Sequence, residues 1–134
     1  MTLHLDNFGD VVIVECEGRI VGSDAVLALR NAVTSQTDAR MVILDLSEVE
    51  ALGGGGIGML AFLQRWARFR GARLKLFNPS RSLLLKLEQT YFIPAFELAT
   101  VDEVLAYLST PNNLSGMTSK GDEETRKSMA GEKN

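Results

Sequence analysis

The sequence predicts an α/β fold: a mostly parallel central sheet of about five strands with about four flanking helices, in the order β-β-α-β-α-β-α-β-α. Two observations carry that prediction. Short apolar runs of strand length alternate with helix-patterned segments of roughly 10 to 15 residues, the pattern of right-handed crossovers between parallel strands. The most continuous of the runs, MVILDL at residues 41–46, suits a strand buried on both faces, as strands at the centre of a parallel sheet are.

The elements follow in chain order. TLHL at residues 2–5 and the turn signal DNFGD suggest a short first strand joined to the second as a hairpin. In residues 11–17, Val12, Val14 and Cys16 lie on one side, and Val11, Ile13, Glu15 and Glu17 on the other. That period of two describes a strand with one wetter face. His4, the lone histidine, alternates with Leu3 and Leu5 and reads as a surface strand residue, since no second histidine exists to complete a site. SDAVLALRNAVTSQ offers Ser23 or Asp24 as a helix cap and sets Val26, Leu29, Ala32 and Val33 on one face.

After the 41–46 strand, SEVEAL reads as a short polar turn and residues 57–70 as a helix stopped by Gly71. A strand at residues 74–77, a turn at Asn78 and Pro79, and a leucine-rich helix over residues 80–90 come next. YFIPAFELA holds a short last strand, and Thr100 with Glu103 matches a capping box before a final helix through Leu108. One domain over residues 1–110 results. From Pro111 the chain loses nearly all large apolar residues, so residues 111–134 are expected to form a flexible polar tail.

Composition narrows the function classes. The chain has 134 residues, 46% hydrophobic and 23% charged, enough to bury one core without staples. The single cysteine, Cys16, rules out a disulfide framework within the chain and reads as a buried small hydrophobe. Neither a leader-like start nor an apolar run of membrane-spanning length is visible, so a cytoplasmic protein is expected. The net charge of −3 hides a division: residues 1–64 sum to −6, residues 65–110 to +3, and the tail is balanced. Such a split argues against nucleic-acid binding by the whole domain, although Arg65, Arg68, Arg70, Arg73, Lys75 and Arg81 form a basic run that lacks an aromatic stacking strip.

The residues that ask for a function are GGGGIG at 53–58. Each glycine costs about 1 kcal/mol relative to alanine inside a helix. The run therefore sits outside the helix or is tolerated for a reason. Gly53, Gly55 and Gly58 satisfy a G-x-G-x-x-G pattern, but SEVEAL separates them from the strand and no acidic residue follows at the distance a dinucleotide site needs. Asp45, Glu48 and Glu50 cluster without a histidine, metal-ligand spacing or activated nucleophile nearby, and Ser47 reads as a turn residue. No catalytic residue, metal or cofactor is therefore expected, and the chain reads as non-enzymatic.

The helix after the glycines carries two apolar stripes, Ile57, Leu60, Ala61, Gln64 and Ala67, and Met59, Phe62, Leu63 and Trp66. One must face the sheet; the other is either an exposed interaction surface or buried by neighbouring helices.

These motifs resemble those of STAS domains, the anti-sigma-factor antagonist family, over nearly all of residues 1–108. The family's strand ending L-D-L resembles Leu44, Asp45 and Leu46, and its D-S-S-G-L-G resembles residues 53–58. Its A-x-x-x-G-x-x-L-x-L-x-N-P-S is matched by Ala67, Gly71, Leu74, Leu76, Asn78, Pro79 and Ser80, and its early G-x-I by Gly18, Arg19 and Ile20. Tyr91 and Phe92 stand where the family often has Gly-Leu, and Glu48 where a glycine is common.

The resemblance implies a protein-interaction module of signal transduction and transcription regulation that binds an anti-sigma factor, a serine kinase of the GHKL type. The family's phosphorylated serine falls on Gly55, its neighbouring serine on Gly54 and its aspartate on Gly53. Binding that does not depend on phosphorylation is then expected. The expected contact comprises Ser23, Gly53, Gly54, Gly55, Gly56, Gly58, Met59, Phe62 and Leu63. Alternatives are a STAS scaffold subunit of a transporter or signalling complex, or a nucleotide or small-ligand domain using the glycine loop. Nucleic acid and direct membrane insertion are not expected, and the oligomeric state is left open, a homodimer included.

Overall fold

A computed structural model describes residues 1–90 and 96–108. The elements are β1 (Thr2–Phe8), β2 (Val11–Ile20), α1 (Ser23–Thr34), β3 (Met41–Leu52), α2 (Gly54–Phe69), β4 (Arg73–Phe77), α3 (Arg81–Thr90), β5 (Glu97–Ala99) and α4 (Val101–Leu108). Their order is the one the sequence predicts. Tyr91, Phe92 and the tail from residue 111 lie outside the described residues. Met1–Thr100 form one compact unit, and α4 falls in a second and is described by itself.

The five strands stand in the order β1-β2-β3-β4-β5, with β1 antiparallel to β2 and every other neighbour parallel. Each crossover from β2 onward advances one strand in the same direction, so right-handed connections put α1, α2 and α3 on one face of the sheet. The register agrees: Val12, Val42 and Leu74 are aligned, as are Val14, Leu44 and Leu76. These residues share one core with Leu29 and Val33 of α1, Leu60, Leu63 and Ala67 of α2, and Leu83 and Leu87 of α3. On the opposite face Val11, Ile13 and Ile43 are buried too, which is why the middle of β3 can be apolar without alternation.

Two boundaries differ from the sequence reading, and both bear on the site. SEVEAL is not a turn; β3 continues through it to Leu52, pairing Glu17 with Glu48, Gly18 with Val49, Arg19 with Ala51 and Ile20 with Leu52. Register shifts between Glu15 and Glu17 and between Gly18 and Arg19 leave β3 with extra residues opposite β2. Such bulges break the period of two, so the segment loses the alternation that marks a strand. The helix after it begins at Gly54 rather than Ile57, so three of the four glycines are helical.

Smaller corrections concern caps. The residue before α1 is Gly22 at φ 89°, and neither Ser23 nor Asp24 supplies the cap. Ser80 precedes α3 and accepts the Leu83 amide at 3.1 Å on its hydroxyl, which explains why the helix starts one residue later than its pattern suggests. The glycine stop holds: Gly71 adopts φ 75°, its amide donates to the Arg68 carbonyl at 3.0 Å, and the Ala72 amide reaches the Ala67 carbonyl at 2.8 Å, the bonds of a Schellman end.

Candidate functional site

The site begins where β3 ends. Gly53 is extended, at φ −81° and ψ 174°, a conformation open to any residue, and its amide donates to the Ile20 carbonyl at 3.1 Å. That bond ties the start of α2 to the end of β2. Ile57 N–H then bonds back to the Gly53 carbonyl at 3.0 Å, closing the first turn. No side chain caps this helix, and no acidic residue stands in its first turn. Its leading amides therefore point outward without a side-chain acceptor.

The four glycines are not equivalent. A Cβ on Gly56 would lie 2.6 Å from Leu52 Cδ1 and 3.2 Å from the Ile20 carbonyl oxygen, so any other residue there must displace the Leu52 side chain and press on the β2 backbone. A Cβ on Gly53 meets nothing nearer than 3.9 Å, one on Gly55 only Val26 Cγ2 at 3.7 Å, and one on Gly54 or Gly58 nothing within 4 Å. Side chains would fit at all four of those positions, and none of them has a positive φ.

Of the residues assigned to the contact from sequence, the structure groups most at the start of α2. Gly54, Gly55 and Gly58 are exposed, Gly53 and Met59 half-buried, and Phe62 is 40% exposed. Ser23 is exposed at the first residue of α1. Leu63 and Gly56 belong elsewhere: Leu63 is fully buried in the core and Gly56 is packed on Leu52, so neither offers surface to a partner. Leu63 was grouped with Phe62 by helical spacing, but it lies three residues after Leu60 and four before Ala67 and shares their core-facing side of α2. The second stripe thus splits, with Met59 and Trp66 packed at the edge of the core.

Sequence reasoning missed Val21. It is 49% exposed, and its Cγ1 lies 3.9 Å from the Cβ position of Gly53. The signal was available: an apolar residue between the last strand residue, Ile20, and a glycine has no strand face to occupy. Val21, half-buried Val26, Gly53 to Gly55, Gly58, Met59 and Phe62 together form an uncharged, largely apolar surface.

The polar candidates have structural partners. Asp45 Oδ1 accepts from both the amide and the hydroxyl of Ser47, and Asn78, at φ 52°, donates its amide to the Ser47 hydroxyl at 3.2 Å. This network joins the first β3 bulge to the end of β4. Glu15 faces Asp45 across the register, and partial burial followed by the charges of Asp6 and Asp45 raises its carboxyl above the usual range. Cys16 is buried, which pushes its thiol up to about 12, so it is inert as a nucleophile. Among the described residues no cluster of metal-ligating side chains occurs, and no helix is long and apolar enough to cross a membrane.

The nucleotide alternative finds little support in this geometry. A cavity of about 150 Å³ lies near the glycines, lined by Val49 to Leu52 of β3 and by Ser80, Ser82, Leu83 and Lys86. It is smaller than the roughly 300–1,000 Å³ of ordinary ligand pockets, and none of the glycines lines it. With β3 reaching Leu52, the strand does lead directly into the glycines, contrary to the sequence reading; but Gly54 to Gly56 form helix rather than a phosphate-wrapping turn.

A mixed sheet ordered 1-2-3-4-5, three crossover helices on one face, and a third strand that passes through the single residue Gly53 into the second helix form a specific combination. The family model described as the STAS domain matches residues 3–104. The chain belongs to the STAS domain family. Solved structures with the same fold include the anti-sigma factor antagonist SpoIIAA in its unphosphorylated form, at 19% identity and TM-score 0.64, covering 80% of this chain and 96% of that one. A serine-to-glutamate variant of RsbS from Moorella thermoacetica matches at 16% identity and TM-score 0.65, covering 87% and 100%. An anti-sigma factor antagonist from Mycobacterium paratuberculosis matches at 22% identity and TM-score 0.57, covering 78% and 91%. No curated protein sequence matches the chain. At these identities the structures establish that this STAS domain shares the antagonist fold.

Proposed function

We propose that this STAS domain is a non-enzymatic cytoplasmic interaction module that binds a GHKL-type serine-kinase anti-sigma factor, and that phosphorylation does not control the binding. The observation that carries the reading is the inequality among the glycines. Aligned on the family's D-S-S-G, the pattern's own glycine falls on Gly56, the one position where a Cβ would strike Leu52 and the Ile20 carbonyl. The aspartate and both serines fall on Gly53, Gly54 and Gly55, where a side chain fits. Folding therefore does not require glycine at those three positions, and the switch is removed chemically while its scaffold stays.

The family's switch adds about −1.5 to −2 charges at the helix N-terminus. The dipole favours that charge locally, but a partner seated on an uncharged surface would meet new charge and bulk. Gly55 has no hydroxyl, so this surface stays in its neutral form. The contact is assigned to Val21, Ser23, Gly53, Gly54, Gly55, Gly58, Met59 and Phe62.

The test is affinity purification from the source cell with and without ATP. Recovery of a GHKL-type kinase whose retention is unchanged by ATP is the expected result, and Gly55→Asp should reduce recovery about tenfold or more by placing charge in the contact. Release of the kinase on ATP addition would refute phosphorylation independence; recovery of transporter components in its place would assign the domain to the scaffold role.

A further inference from the structure

We propose that the outer face of α2 from Phe62 to Phe69, which adjoins the glycine-loop contact at Phe62 and extends beyond it, is a docking surface for an acidic amphipathic helix of a partner protein. It does not rest on the glycine-loop reading. Phe62 is 40% exposed and Phe69 is 93% exposed, and their separation of seven residues, two helical turns, sets them on one line along the helix. Trp66 lies beside that line, half-buried, with the Arg70 guanidinium 5.2 Å above its ring. Arg70 is held there by donating to the Thr37 carbonyl as well. Arg65 flanks the phenylalanines on the other side.

An aromatic ring almost wholly in water is an unsatisfied apolar surface, and the helix spacing of Phe62 and Phe69 fits the i, i+7 anchoring of a helix laid alongside. Charge specifies the occupant. No acidic residue occurs between Glu50 and Glu88, so α2 and its C-terminal end carry Arg65, Arg68 and Arg70 with no compensating carboxylate on the helix. Among the described residues Arg65 has no ion-pair partner, while Glu97, paired with Arg73 at 2.6 Å, also feels the charge of Arg68. A second copy pairing α2 against α2 about a twofold axis would bring like arginines together, which opposes that assembly. An acidic helix with apolar anchors meets both requirements at once.

Trp66 is the chain's one tryptophan and borders the surface, so its fluorescence reports occupancy. The probe is a synthetic helix of about 18 residues with leucines at i, i+3, i+4 and i+7 and glutamates elsewhere, compared with the same peptide bearing lysines. The glutamate peptide should produce a saturable change in Trp66 emission that weakens several-fold between about 0.05 and 0.5 M salt, and the lysine peptide should not. Phe69→Ala and Arg65→Glu should each weaken binding about tenfold, while Arg81→Glu, the same charge change at an exposed position on α3, should leave it within about twofold. Absence of saturation, equal binding of the lysine peptide, or undiminished binding by Phe69→Ala or Arg65→Glu would overturn the proposal. A concentration-dependent dimer that Phe69→Ala abolishes would overturn it in favour of a second copy.

Discussion

Gly56 and Gly58 lie two residues apart in α2 and should respond unequally to the same substitution. Gly→Ala inside a helix gains about 1 kcal/mol of propensity at either position. At Gly58 that gain stands alone, because a Cβ there meets nothing within 4 Å. At Gly56 the new methyl arrives 2.6 Å from Leu52 Cδ1, 3.1 Å from Leu52 Cγ and 3.2 Å from the Ile20 carbonyl. Leu52 borders the cavity of about 150 Å³ and its side chain can turn toward that space, whereas the Ile20 carbonyl is backbone held in the sheet, so the steric cost falls toward the lower end of the about 1–3 kcal/mol of overpacking. The difference between the two variants isolates the steric cost, since the propensity term is common to both. Urea and thermal unfolding followed by far-ultraviolet circular dichroism should place Gly58→Ala above Gly56→Ala by an amount toward the lower end of about 1–3 kcal/mol, roughly 4–8 °C in Tm per kcal/mol for a domain of this size. Adding Leu52→Ala should make the Gly56→Ala change less unfavourable, the coupling expected of neighbours in contact. A Gly56→Ala variant as stable as Gly58→Ala would refute the packing argument, and with it the separation of one structural glycine from three others.

Two further expectations follow from the site. Leu63→Ala should cost about 2–5 kcal/mol of stability as a core truncation, whereas Phe62→Ala, one residue earlier, should cost under about 1 kcal/mol and weaken partner binding; equal stabilities would contradict the split of the second stripe. Glu15 holds its proton to higher pH in the folded chain than in the unfolded one, so its contribution is most favourable when protonated and declines as pH rises from the ordinary carboxylate value of 4.5 through the raised one. Glu15→Gln should remove that slope and raise stability at pH 7 by no more than about 1 kcal/mol, given its partial exposure; a loss of stability at pH 7 would show that its charge is used rather than tolerated.

The element order was legible because it rests on local chemistry. The continuous apolar run of β3, the alternation in β2 and the glycine after α2 each encode their element within a few residues. SEVEAL was not legible as strand, because the two bulges that admit it to the sheet are set by pairing with β2, beyond any local window. The start of α2 was misplaced for a related reason: isolated glycines oppose helix, and the bonds from Gly53 to Ile20 and from Ile57 to Gly53 help hold the first turn in place. Of the proposed contact, all but Val21 could be named from sequence, whereas Gly56 and Leu63 were included because helical spacing alone does not say which face of α2 meets the core. Phe69 was overlooked because neither apolar stripe reached it.

The sequence by itself determined the α/β class and the absence of a phosphorylatable hydroxyl at residues 53–56, since both are properties of residue type and order. Only the tertiary structure decided which glycine is crowded at its Cβ position. That answer depends on the distance from a Cβ to Leu52 and to the Ile20 carbonyl, and those atoms come from two other positions in the chain that meet Gly56 only after β2 and β3 have paired.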